Sequence, residues 1–114
     1  MSIEQTIFAT LSSVCSGRVY PDIGAQSVRD PHIVYSLVFE AGIDHLSGDP
    51  LTRNCRFQFD CWADTKSGSV GLMESARAAI RASSMTTVFI GRNPSDYDPE
   101  TKLYRESFDF SIWH

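Results

Sequence analysis

No stretch of this sequence has the roughly 20 consecutive apolar residues that a bilayer span requires. The opening Met1-Ser2-Ile3-Glu4-Gln5 lacks the basic-then-apolar order of a secretory signal. Neither a membrane span nor an exported chain is therefore expected. Basic residues are outnumbered, with ten Lys and Arg against fourteen Asp and Glu for a net charge of −4. Domains that chiefly grip phosphates carry a basic stripe, so that class is disfavoured. Cysteine is also scarce, with only Cys15, Cys55 and Cys61. Cys55 and Cys61 fall in one apparent strand, six residues and therefore roughly 20 Å apart. A disulfide needs Cα atoms within about 7 Å, so these two cannot bridge each other. Cys15 could reach either, but a reduced cytosolic state is the better expectation.

What remains is a chain of 114 residues, 42% hydrophobic and 21% charged. That is the size of one domain, residues 1–114, able to bury a core without disulfides or metal. Ile3, Ile7, Leu11 and Val14 recur at helical spacing, Ser2 and Gln5 stand at capping-box spacing, and Gly17 ends the segment. Arg18-Val19-Tyr20-Pro21 and the polar stretch to Pro31 read as an extended crossing and loop. A strand from His32 to Glu40 is apolar in both phases, which predicts cover on both faces. The segment from Ala41 to Thr52, with Gly42, Gly48 and Asp49-Pro50, reads as a long hairpin connection.

The next strand alternates cleanly, with Cys55, Phe57, Phe59 and Cys61 on one face and Asn54, Arg56, Gln58 and Asp60 on the other. Asp64 or Thr65 caps a second helix whose Val70, Met73, Ala76 and Ile80 share a side. A strand from Thr86 to Gly91, a turn region from Asn93 to Glu100 and a final strand from Leu103 to Trp113 follow. The expected fold is α+β: two helices on an antiparallel sheet of about four strands, in the order α-β-β-α-β-β. Pairing the second and fourth strands so that residue numbers sum to 165 would set Phe57 opposite Phe108, Cys55 opposite Phe110, Arg56 opposite Asp109 and Asp60 opposite Arg105.

None of the familiar catalytic spacings is met. His32, His45 and His114 sit in different elements, without metal-site spacing. Asp96, Asp98 and Glu100 begin like a calcium loop, but Thr101 stands where glycine is needed and Ser107 where glutamate is needed, so a solvated hairpin turn is the better reading. Ser67-Gly68-Ser69-Val70-Gly71 lacks the pattern of a phosphate cradle and reads as a frayed first helical turn. Cys55 and Cys61 lie on the aromatic core face, where a thiol is inert. The adjacent Asp44 and His45 form too unspecific an acid–base pair to outweigh an exposed loop. Phe57, Phe59, Phe108 and Phe110 could stack bases, but without basic residues around them they read as core. Trp62 and Trp113 alternate onto the polar faces of their strands, where exposed indoles mark partner surfaces and where packing at a sheet end serves equally well. No catalytic residue, cofactor or metal is expected.

Several segments taken together resemble a known family. Arg18-Val19-Tyr20-Pro21 follows a first helix, and Pro31-His32-Ile33-Val34-Tyr35 comes next. The run Arg56-Phe57-Gln58-Phe59-Asp60-Cys61-Trp62-Ala63 precedes an alanine-rich helix around Ser75 to Ile80. The chain ends with Tyr97-Asp98-Pro99-Glu100-Thr101-Lys102-Leu103-Tyr104-Arg105 and Ser107-Phe108-Asp109-Phe110-Ser111-Ile112-Trp113. In order and spacing these resemble the small tail completion, or tail terminator, proteins of long-tailed bacteriophages and prophages, over nearly the whole chain.

The resemblance implies helices against an antiparallel sheet and a structural, non-enzymatic role. That role is to close the head-proximal end of the tail tube and join tail to head, as a subunit of a ring, typically of six. The implied partners are copies of the chain, the tail tube protein and the head–tail connector. DNA would pass through without sequence-specific binding, in keeping with an acidic chain that repels phosphates. The product would be made in the bacterial host cytoplasm and end in the virion tail. Asp44, His45, Leu46 and Asp49 in the long loop, with Trp62 and Trp113, are the candidate subunit or partner contacts. Another tail or connector component, such as a tube subunit or stopper, stays open, as does a small cytosolic ligand-binding domain or enzyme.

Overall fold

A computed structural model describes residues 3–21, 30–42 and 53–113. The elements run α1 (Ile3–Leu11), β1 (Val19–Pro21), β2 (His32–Gly42), β3 (Arg53–Ala63), α2 (Lys66–Ala82), β4 (Thr86–Asp98) and β5 (Leu103–Trp113). The strands form one sheet in the order β1-β2-β3-β5-β4, antiparallel except for the parallel β1–β2 edge. The α+β class with two helices stands. The four-strand order is corrected to five, because Val19–Pro21 is a strand and not a crossing. Three residues ending in proline cannot display a period of two, and this strand is fixed by its partner β2.

Both helices lie on one face. The spacing of Ile3, Ile7 and Leu11 drives α1: Ile7 and Leu11 are buried, and Ile3 packs beside them. After Leu11 the chain turns through Ser16 and Gly17 at positive φ, where Gly17 carries no steric penalty. Thr65 caps α2, its hydroxyl accepting the Gly68 N–H at 3.0 Å. A Cβ on Gly68 would stand 2.8 Å from that same hydroxyl oxygen and 3.2 Å from the Ala63 Cβ. The Ser67–Gly71 segment is thus a capped and packed helix start, not a frayed one, and its glycine serves close approach to β3.

The core lies between the helices and the phase of the sheet that faces them. Phe57, Phe59, Phe108 and Phe110 are each at most 1% exposed. Phe59 stacks on Phe108 at 5.3 Å between centroids, and Phe110 meets Phe89 edge-on at 5.4 Å. Each such ring contributes roughly 1.5–3 kcal/mol by leaving water, which accounts for the aromatic phase without any base-stacking role. The Arg77 guanidinium carbon lies 3.7 Å from the Phe89 ring centroid, closing the core toward β4 with a cation–π contact.

The β3–β5 neighbourhood is as the alternation predicts, but the register is two residues away: partners sum to 167, so Phe57 faces Phe110, Cys55 faces Ile112, Arg56 faces Ser111 and Asp60 faces Ser107. A slip of two leaves every side chain on its face, so hydrophobic alternation fixes the parity of a register and not its value. Residues Asn93 to Asp98, expected as a turn, continue β4 through two irregularities, one between Phe89 and Gly91 and one between Asn93 and Asp96.

Candidate assembly surfaces

The face away from the helices carries a polar network built by β3, β4 and β5. Arg56 donates to Asp109 Oδ2 from Nε at 2.9 Å and from a terminal nitrogen at 2.8 Å. Asn93 donates to Ser107 Oγ and to Asp109 Oδ1, both at 2.9 Å. Asn54 donates to Ser111, and Gln58 donates to Asp60 at 3.0 Å. The Arg56–Asp109 pair arises diagonally across β3 and β5, although neither residue is the other's direct register partner. Ser107 and Asp109 are buried and held by Asn93 and Arg56, so this network stiffens the sheet.

A ring cluster sits at one end of this face. His32 is buried, stacks on Trp62 at 6.4 Å with planes 13° apart, and meets Tyr20 edge-on at 5.9 Å. Its Nδ1 lies 2.9 Å from the Asp30 carbonyl and donates to it, which places the proton of the neutral ring. Burial pushes the His32 pKa down, the Asp30 carbonyl pulls it back up, and nearby Arg18 depresses it further. The imidazole is a neutral packing group here. Trp113 pairs with Asn54 and Thr86 at the opposite end of the face, eight residues along β3 from Trp62, or roughly 26 Å. The two candidate tryptophans thus share a face without forming one patch. Asp44, His45, Leu46 and Asp49 lie outside the described residues.

Chemistry on the helix-side face is equally quiet. Burial raises the Cys15 and Cys61 pKa values, Cys61 strongly, with the negative charges of Asp60 and Glu106 adding to the effect. These thiols stay protonated and unreactive, and all three cysteines are free and buried. The Asp98 carboxylate accepts the Glu100 N–H at 3.0 Å and that of Asp96 accepts the Tyr97 N–H at 2.8 Å, as turn-forming side chains do. An open cleft of about 410 Å³ lined by Glu4, Gln5, Phe8, Val19, Pro21 and Tyr35 draws its charged and amide groups from one turn of α1. It has none of the convergent polar groups of a ligand site.

Sequence reading missed two features. Glu106 stands in the apolar phase of β5 and is 1% exposed. The Ser95 hydroxyl donates to it, and Arg92 and Lys66 approach its other oxygen at 3.4 and 3.8 Å. This carboxylate pins the irregular part of β4 to β5, and its signal was a charge interrupting the Tyr104–Phe108–Phe110 alternation. The second is a set of exposed apolar side chains on β2 and β4. Leu37, Val38 and Phe39 on β2 are 47–59% exposed, and Val88 and Ile90 on β4 are 53% and 45% exposed.

Comparison with known proteins places this architecture. A family model described as tail completion protein gp17 matches residues 7–114. The chain belongs to that family. It is thus a tail completion protein by family, a class of bacteriophage virion structural proteins. Among solved structures the fold is similar to a chain of the virion of a native gene transfer agent particle, at 14% identity with a TM-score of 0.56, covering 98% of this chain and 93% of that one. No curated protein sequence matches. Among the described residues no helix is long and apolar enough to cross a membrane.

Proposed function

We propose that this tail completion protein closes the head-proximal end of the tail tube and joins tail to head as one subunit of a ring, expected to be six-membered. Residues 1–114 act as a single domain, without catalysis or cofactor. The observation that carries the reading is the family match over residues 7–114, and the polar network and inert thiols are what a structural subunit needs. The partners are neighbouring copies, the tube protein below and the head connector above. DNA passes through the ring without sequence-specific contact. The loop holding Asp44, His45, Leu46 and Asp49 reaches across the seams, and Trp62 and Trp113 meet partners at opposite ends of the face away from the helices. Synthesis takes place in the bacterial host cytoplasm.

Electron microscopy of lysates from a phage or prophage with this gene alone inactivated tests the role. DNA-filled heads beside unattached tails, some of irregular length and restored to whole particles by complementation, are expected. Complete, infectious particles would overturn it. Missing tails would point to a tube subunit, and empty heads with finished tails to a stopper.

A further inference from the structure

β4 is the last strand of the sheet, at the edge opposite β1, and no described residue pairs with its outer side. The two internal stretches outside the description leave from other strands, residues 22–29 joining β1 to β2 and residues 43–52 joining β2 to β3. To lie beside Phe89 on that outer side, either would need a path of roughly 43 Å or more out and back, and fully extended they span about 32 and 38 Å. From Thr86 to Ile90 the edge reads Thr-Thr-Val-Phe-Ile, strand-forming throughout and without charge or proline. Such groups normally blunt an edge, and here Pro94 and the irregularity before Asp96 blunt only the lower half. Val88, level with Ser111 on the face away from the helices, is 53% exposed, and Ile90 is 45% exposed.

The helix side of the same edge is basic. Arg77 reaches the Phe89 ring from α2, and its Nε is buried without a hydrogen-bond partner. Arg81 stands one turn further along the same side of α2, whose only acidic residue is Glu74. Arg92 follows on β4, where it approaches Glu106. Among the described residues no carboxylate pairs with Arg77 or Arg81. Guanidinium groups placed beside a strand edge and lacking an anion are ready for charge-assisted hydrogen bonds from an incoming carboxylate.

We propose that the outer edge of β4 from Thr86 to Ile90 accepts an extended strand of another protein, with aliphatic side chains on the phase beside Val88 and carboxylates on the phase beside Arg77 and Arg81. That the donor is a virion protein rests on the function proposed above, whereas the binding chemistry stands on this edge alone. Backbone hydrogen bonds supply the attachment, and the two phases supply the selection. A second copy's β4 is not the occupant, because antiparallel pairing of two such edges would bring both sets of Arg77, Arg81 and Arg92 to one side.

The test is an amide NMR titration of the isotope-labelled full chain with an acetylated peptide of about eight residues alternating valine and glutamate. Saturable shifts centred on Thr86 to Ile90 are expected. Binding should weaken about tenfold when lysine replaces glutamate in the peptide, and about tenfold for Arg81→Glu with the original peptide. Arg81 is exposed, so its replacement leaves the core in place. Successive N–H groups of a strand point to opposite sides, so N-methylating either all the valines or all the glutamates should abolish binding in one case and spare it in the other. Equal effects of the two methylations, equal affinity for the lysine peptide, shifts centred elsewhere, or no saturation at millimolar peptide would each overturn the proposal. In a phage or prophage lacking the native gene, Arg81→Glu should lower incorporation into tails by about tenfold. Normal incorporation would overturn the virion donor, and a native chain absent from tails would overturn the tail role, while the peptide result stands apart from both.

Discussion

The two halves of β2 are alike in composition and opposite in environment. Ile33, Val34 and Tyr35 are buried on both faces, between α1, β1 and the Trp62 cluster, whereas Leu37, Val38 and Phe39 stand exposed on the same strand. A strand apolar in both phases announces two-sided cover, and the described residues of the chain supply it for the first half. The difference teaches that an apolar strand pattern announces cover without saying where along the strand it lies.

Substitutions along β2 sharpen that contrast. Ile33→Ala should cost the free chain about 2–5 kcal/mol, because it opens a cavity beneath α1. Leu37→Ala should stay within about 0.5 kcal/mol, since its side chain is already half in water. Chemical denaturation of the purified variants checks both, and equal losses would break the comparison.

A smaller effect comes from His32 at the buried end. Its pKa is lower folded than unfolded, so between the two values the unfolded chain binds more protons. Stability should therefore fall as pH drops below about 6.5 and level off once the pH passes the depressed folded value. Denaturation midpoints across that window should fall with pH for the native chain and stay level for His32→Phe if this ring is the titrating group. A slope unchanged by the substitution would assign it elsewhere.

Much of the fold was legible because it rests on long periodic segments. The α1 spacing, the β3 alternation and the β3–β5 neighbourhood all follow from burying one face. The register slipped by two because phenylalanines at 57, 59, 108 and 110 satisfy either alignment. The alignment that forms keeps the Arg56–Asp109 pair as a diagonal and sets Ala63 and Asn54 at its two ends. β1 was hidden because three residues have no period, and the continuation of β4 past Asn93 because Pro94 and two aspartates read as a turn. Placing Trp62 and Trp113 on the polar face was correct. That they stand at opposite ends follows from strand length, which alternation does not convey. The exposure of Leu37 was not legible at all, since nothing local distinguishes it from Ile33, which is covered.

The most direct measurement is an electron cryo-microscopy reconstruction of the head-proximal end of the intact tail. The account predicts a ring of this chain there, between the tail tube and the head connector. A tail end in which this chain has no place would contradict it.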